Sequence, residues 1–187
     1  MKRPGVFCLE GDWSDHLADK SSVRPLLEVL EPMAKVPFIH RDVGTPAELE
    51  HYLRKWTQKR YANYFLAYLA FHGTPGNLAV GRHDVSLADL EAVLAGRCDG
   101  RVMYFAGCSI LDIDQTEIDG FRKATGARAV CGYVKDVDWL VAAAFELLLL
   151  EALTYYERTD AAFKFMNREY AGLVDKLGFR SSWRRRR

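Results

Sequence analysis

No stretch of this chain reaches the roughly 18 consecutive apolar residues expected of a membrane-spanning helix. The most apolar helical segment, Trp139 to Leu153, is interrupted by Glu146 and Glu151 and reads as a core helix. A signal peptide's apolar h-region and cleavage pattern are missing too, because Met1-Lys2-Arg3-Pro4-Gly5 leads straight into a strand-like run. A cytoplasmic protein with no membrane partner is therefore expected. Charge of one sign is also lacking: 26 Lys and Arg against 25 Asp and Glu leave a net charge of +1. Nothing global argues for nucleic acid as a partner. None of the four cysteines, Cys8, Cys98, Cys108 and Cys131, forms a C-x-x-C pair. That removes the zinc-knuckle reading, and His16, His40 and His51 show no metal-ligand spacing with other candidates. A disulfide framework is not expected in a reduced cytosol. The G-x-x-x-x-G-K-[ST] phosphate loop is absent, and no G-x-G-x-x-G follows the first strand. No metal and no cofactor are expected.

What is present is 187 residues, 49% hydrophobic and 27% charged, enough for one soluble domain with a full core. Strand-like and helix-like segments alternate. Val6 to Leu9 reads as a strand, and Val23 to Met33 as an amphipathic helix with Pro25 near its start. Val36 to His40 is a second strand, where Pro37 marks an edge or a beginning. Thr45, Pro46 and Glu48 form a capping-box signal for a helix to about Arg60. Tyr64 to His72 is a third strand, and Gly81-Arg82 joins Leu78-Ala79-Val80 to His83-Asp84-Val85 as a small hairpin. Ser86 caps the next helix. A strand ending at Cys108, a helix from Thr116 to Thr125 and a strand from Ala127 to Val134 follow. The last helices run from Asp138 to about Arg158 and from Asp160 to Lys176. This order implies βαβ units and a mostly parallel α/β sheet in residues 1–178, with 179–187 left as a basic tail. Such a tail is solvated, or binds an acidic partner.

Two of the apolar runs end alike. Tyr64 to Phe71 runs into His72-Gly73, and Arg101 to Ala106 runs into Gly107-Cys108-Ser109. In parallel sheets, chemistry collects beyond the carboxyl ends of the strands. Alone, His72 reads as a core histidine and Cys108 as a buried thiol. Together, at matched strand ends, they suggest a cysteine nucleophile with a histidine base.

Phe71-His72-Gly73, the hairpin, and then Phe105-Ala106-Gly107-Cys108-Ser109 resemble the caspase-like (clan CD) cysteine peptidases, most closely their CHAT and separase branch. The segment Cys131 to Trp139 is similar to the CHAT stretch in which a strand enters an acidic turn and a long helix. The resemblance spans roughly Tyr64 to Leu150, and the N-terminal third agrees only in element order. The gap from His72 to Cys108 is 36 residues (108 − 72), shorter than the roughly 50 of caspases. The caspase Gln-Ala-Cys-Arg-Gly pattern is absent, so selectivity for Asp is not implied.

The resemblance implies a three-layer α/β/α sandwich and no cofactor. It implies a cysteine endopeptidase acting on a protein or peptide substrate, with activation by a protein partner, as in small bacterial effectors. His72 would be the acid/base and Cys108 the nucleophile, with the amides of Gly73 and Cys108 as the oxyanion hole. Relatives that cleave after Arg or Lys carry acidic residues at the base of the first pocket. Asp136 and Asp138 best match that pattern, although Asp138 equally fits an N-cap before Trp139. Asp112 and Asp114 fit solvated loop charges. Trp13, after the first strand, would line the cleft, or equally pack in the core or as a lid. A non-catalytic binding or assembly module on the same scaffold stays open, and a flavodoxin-like phosphate binder is a minor alternative.

Overall fold

The computed structural model describes residues 3–184. In chain order the elements are β1 (Val6–Glu10), α1 (Arg24–Ala34), β2 (Phe38–Asp42), α2 (Pro46–Trp56), β3 (Leu66–Ala70), β4 (Gly73–Thr74), β5 (Asn77–Val80) and β6 (His83–Ser86). Then follow α3 (Leu87–Leu94), β7 (Val102–Phe105), α4 (Gln115–Thr125), β8 (Ala129–Tyr133), α5 (Trp139–Tyr155), α6 (Thr159–Glu169), α7 (Ala171–Leu177) and β9 (Phe179–Trp183). The main sheet has the order β2-β1-β3-β7-β8-β9. Its first five strands are parallel, and β9 runs antiparallel to β8. β4, β5 and β6 form a small antiparallel sheet.

Side chains of successive strand residues point to opposite faces, and both faces here are apolar. Val6, Cys8, Leu66, Tyr68, Tyr104 and Cys131 face a core that includes Leu27 of α1, Phe145 of α5, Phe163 of α6 and Leu177 of α7. Phe7, Leu9, Leu69, Met103, Phe105 and Val130 face a second core with Leu53 and Trp56 of α2, Leu90 of α3 and Phe121 of α4. The result is the expected three-layer α/β/α sandwich around a mostly parallel sheet. No helix among the described residues is long and apolar enough to cross a membrane.

Local chemistry explains most boundaries. Thr45 accepts from the Glu48 amide, and the Glu48 carboxylate reaches back to the Gly44 amide. Ser86 and Asp89 form a complete capping box for α3. Three expectations need correction. The strands do not reach His72 and Cys108; β3 stops at Ala70 and β7 at Phe105. The final helix divides into α6 and α7 at Tyr170. Residues 179–183 are not a solvated tail but β9, because Phe179 and Trp183 pack on the core and Ser182 is buried beside Arg122 and Asp119. Arg185 to Arg187 lie outside the described residues, as do Met1 and Lys2.

A carboxyl of α5 itself is buried inside the α5 face of the sheet. Glu146 is 4% exposed and accepts from the hydroxyls of Tyr68, Tyr104 and Tyr133. Tyr104 and Tyr133 also touch each other, hydroxyl to hydroxyl, at 2.6 Å. Four oxygen–oxygen contacts thus share three phenolic protons, and the network takes up a fourth when Glu146 is protonated and one phenol accepts from the carboxyl. Burial, with the ionised Glu10 adding repulsion, drives the Glu146 carboxyl up from 4.5 to about 7, although the three phenols oppose the rise. The folded protein then holds a proton that the unfolded chain releases, so stability falls as pH climbs from about 4.5 to about 7 and levels off above that. Urea unfolding of Glu146→Gln, whose amide imitates the protonated acid, should show that fall removed. Equal pH slopes for variant and wild type would contradict the assignment.

Candidate active site

β3 and β7 are parallel neighbours in a register that pairs Leu69 with Phe105. The Ala106 amide donates to the Leu69 carbonyl at 2.9 Å. His72 and Cys108 each lie three residues beyond that pair. Past the sheet the two backbones come into contact. A Cβ on Gly107 would lie 2.2 Å from the Phe71 carbonyl oxygen, and one on Gly73 would lie 2.8 Å from the Cys108 carbonyl oxygen and 2.2 Å from Ile110 Cγ1. Neither glycine has a positive φ. What they supply is space for close backbone approach.

The turn after Cys108 is laced to its surroundings. Ser109 adopts φ 56°, a left-handed conformation that costs a non-glycine residue about 1–3 kcal/mol. Its hydroxyl donates to Asp136 Oδ1 at 3.0 Å, and its amide donates to the Lys135 carbonyl at 3.2 Å. The Gly76 amide, from the turn between β4 and β5, donates to the Ile110 carbonyl at 2.9 Å. The Val137 amide points at Cys108 Sγ at 3.5 Å. Cys108 is half-buried, whereas Cys8, Cys98 and Cys131 are sealed in the core. Burial pushes the Cys98 thiol up to about 12 and also raises those of Cys8 and Cys131. Cys108 is the one described cysteine with access to solvent.

His72 is exposed, and its Nε2 lies 3.0 Å from the Trp13 main-chain carbonyl. A carbonyl only accepts, so Nε2 carries the hydrogen and, in the neutral ring, Nδ1 is the basic nitrogen. His72 and Cys108 share no hydrogen bond with each other. The Trp13 ring packs edge-on to His72, with centroids 5.1 Å apart, and to Trp139 at 4.7 Å. Trp139, the first residue of α5, is 47% exposed.

Of the acidic candidates, Asp138 caps α5 by accepting from the Val141 amide at 2.9 Å, the alternative reading of that residue. Asp136 receives the Ser109 hydroxyl and thereby adjoins Cys108. Asp112 and Asp114 line a shallow polar surface with Arg180.

Several residues escaped the sequence reading. Glu10, at the end of β1, is 3% exposed and accepts from Trp13 Nε1 at 2.5 Å, the Val23 amide at 2.7 Å and the Ser22 hydroxyl at 2.7 Å, and pairs with His40 Nε2 at 2.6 Å. Burial alone would raise its carboxyl, but the four hydrogen bonds, led by His40, hold it below the ordinary carboxylate value. Glu10, His40 and Asp42 offer ligand atoms within 4.8 Å of one another, the spacing of a metal site. Glu10's oxygens are already occupied by these four protein partners, so the group is a hydrogen-bonded anchor. The only sequence signal for it was an acidic residue closing an otherwise apolar strand. Trp139 could have been noticed from its place beside the acidic turn.

The glycine crossing is testable. Gly107→Ala should cost about 1–3 kcal/mol in urea unfolding and slow any Cys108-dependent chemistry, since the backbone it would strike is not a flexible side chain. Gly120→Ala, on an open face of α4, should instead stabilise by about 0.5–1 kcal/mol. An equal response at both sites would mean that the crossing carries no constraint.

In fold, the chain is similar to Caspase-1 from Spodoptera frugiperda, with a TM-score of 0.61, 13% sequence identity and coverage of 97% of this chain and 87% of that one. It is also similar to pro-Sf-caspase-1, with a TM-score of 0.57, 14% identity and coverage of 94% and 80%. The architecture is therefore caspase-like. No curated protein matches the sequence. The model of DUF6642, a family of unknown function, matches residues 4–183, and the chain belongs to that family.

Proposed function

We propose that the protein is a cysteine endopeptidase of the caspase-like type, with Cys108 as nucleophile and His72 as acid/base. The observation that carries this reading is the pairing of the one accessible cysteine with a histidine whose Nε2 is occupied by a main-chain carbonyl, at the exits of adjacent parallel strands. The tautomer leaves Nδ1 to take a proton.

The chemistry follows from these groups. A thiol with an ordinary pKa of about 8.5 is mostly protonated at neutral pH. His72 Nδ1 accepts the Cys108 proton, and the thiolate attacks the scissile carbonyl carbon. A carbon–sulfur bond forms and the carbonyl electrons move onto oxygen. The amides of Gly73 and Cys108 would receive that oxyanion. The Ala79 amide donates to the His72 carbonyl, which makes that pair the hydrogen-bonded one of the β4–β5 ladder. Gly73 and Leu78 are then the non-bonded pair, and the Gly73 amide is left outside the ladder. As the intermediate collapses, the carbon–nitrogen bond breaks and His72 returns its proton to the leaving amine. Water, activated by His72, then hydrolyses the thioester and restores the thiol.

Asp136 supports a preference for a basic residue before the cleaved bond, because its carboxylate is held beside Cys108 by Ser109. Asp138 contributes at most at longer range, since its carboxylate caps α5. Trp13 and Trp139 would form an aromatic wall of the cleft. The CHAT-like assignment, activation by a protein partner and a cytoplasmic setting belong to the same proposal. A second reading, a non-catalytic caspase-like binding or assembly module, is favoured by the absence of a hydrogen bond between His72 and Cys108. Catalytic contacts of this kind often tighten only when substrate binds.

Labelling with an acyloxymethyl ketone carrying Arg should modify Cys108 and fall by at least about a thousandfold in Cys108→Ala. Fluorogenic peptides should be cut after Arg or Lys, with Asp136→Asn raising KM for them. Labelling that ignores Cys108 would favour the binding module, and cleavage only after Asp would refute the basic preference.

A further inference from the structure

The carbonyl that fixes His72 belongs to a loop that cannot hold it unaided. Residues 11–23 join β1 to α1, and between Asp12 and Ser21 every residue except the half-buried Trp13 is exposed. Polar, exposed segments of this kind open at little cost. The loop is nevertheless tied at both ends to one buried group. Trp13 Nε1 binds Glu10 near the loop's start, the Ser22 hydroxyl and Val23 amide bind it at the end, and His40 of β2 closes the fourth position. An ionised carboxylate offers about four acceptor directions, and this one uses all of them.

We propose that Glu10 is a positioning residue for His72. Its carboxylate pins the Trp13 indole. The indole fixes the Trp13 main chain, and the Trp13 carbonyl holds His72 Nε2–H, so that Nδ1 is the nitrogen left to act as base. The inference rests on the reading of His72 as the acid/base group. The Trp13 ring also leans edge-on against His72, so loosening the indole disturbs the imidazole from two directions.

The role is geometric, and substitution chemistry separates it from a through-space effect of charge. In Glu10→Gln the amide oxygen can keep Trp13 Nε1 and the Val23 amide. The amide nitrogen can donate to the Ser22 hydroxyl and to His40 in its Nδ1–H tautomer. All four contacts survive without the charge. Glu10→Ala leaves the indole and a buried amide unpartnered. Trp13→Phe keeps an aromatic ring and leaves Glu10 in place but removes the N–H that joins them.

The test uses the full chain and two readouts. One is ring-nitrogen NMR of His72, which reports its tautomer directly. The other is the pH profile of Cys108 alkylation by iodoacetamide. Wild type and Glu10→Gln should both show the Nε2–H tautomer and the same profile. Glu10→Ala and Trp13→Phe should show mixed tautomers and alkylation slowed by about tenfold or more at neutral pH. Trp13→Phe keeps the proposal open to refutation if Glu10→Ala does not fold. An unchanged tautomer in either folded variant would overturn it, and so would Glu10→Gln behaving like Glu10→Ala. Failure of the peptidase reading would look different: no peptide cut by wild type, with the His72 tautomer still dependent on Glu10.

Discussion

Two parallel backbones that touch beyond the edge of a sheet control the rest of this molecule. Parallel pairing fixes β3 and β7 in register, and both chains must then leave the sheet in the same direction. Side chains would hold them apart. With Gly107 against the Phe71 carbonyl and Gly73 against Cys108 and Ile110, the chains cross at backbone distance. Gly73 follows His72 and Gly107 precedes Cys108, so the close approach places these two candidates on neighbouring loops. The left-handed turn at Ser109 follows from the same constraint, because the chain must fold back at once toward the end of β8.

Two buried carboxyls support this arrangement from the α5 face, and their surroundings push their titrations in opposite directions. Glu10 has an imidazole, an indole, an amide and a hydroxyl around it, and stays ionised. Glu146 has only phenols, which stabilise its charge too weakly to offset burial. The negative charge on Glu10 makes ionising Glu146 harder. Tyr68 and Tyr104 stack at 5.5 Å on the two strands that end at the site. The Glu146 carboxyl therefore ties those strands to α5 through their phenols.

The sheet and its helices could be read from the sequence because their signals are local. Apolar runs, the Thr45 and Ser86 caps and the Gly81-Arg82 turn each declare themselves within a few residues. His72 and Cys108 stood out because each follows an apolar run. β9 did not, since Phe179-Arg180-Ser181-Ser182-Trp183 carries an edge strand's mixed polarity and merges into arginines. Glu10 and His40 gave no spacing signal, because 30 residues of chain separate two side chains that only the β1–β2 register brings together. Trp13's role is invisible for another reason: the group that meets His72 is its main-chain carbonyl, which any residue would supply. Only the indole that anchors that carbonyl depends on the residue type.

That last distinction bears on how a caspase-like scaffold with 13–14% identity to caspases can be judged. Fold similarity at this level carries no residue role with it. What can be weighed is whether each group is placed to perform its step. A buried thiol cannot meet substrate, and that removes Cys8, Cys98 and Cys131. An imidazole free to rotate would present either nitrogen, and a base must present one. In the proposed mechanism the carbonyl at Nε2 selects Nδ1, and the Glu10 carboxylate, through Trp13, sets the carbonyl's position. A scaffold needing only a rigid core would have little use for a buried charge at a loop anchor, where desolvation costs several kcal/mol. Glu10 is stable there because its partners are pre-arranged, and the loop they secure meets His72 through the Trp13 carbonyl.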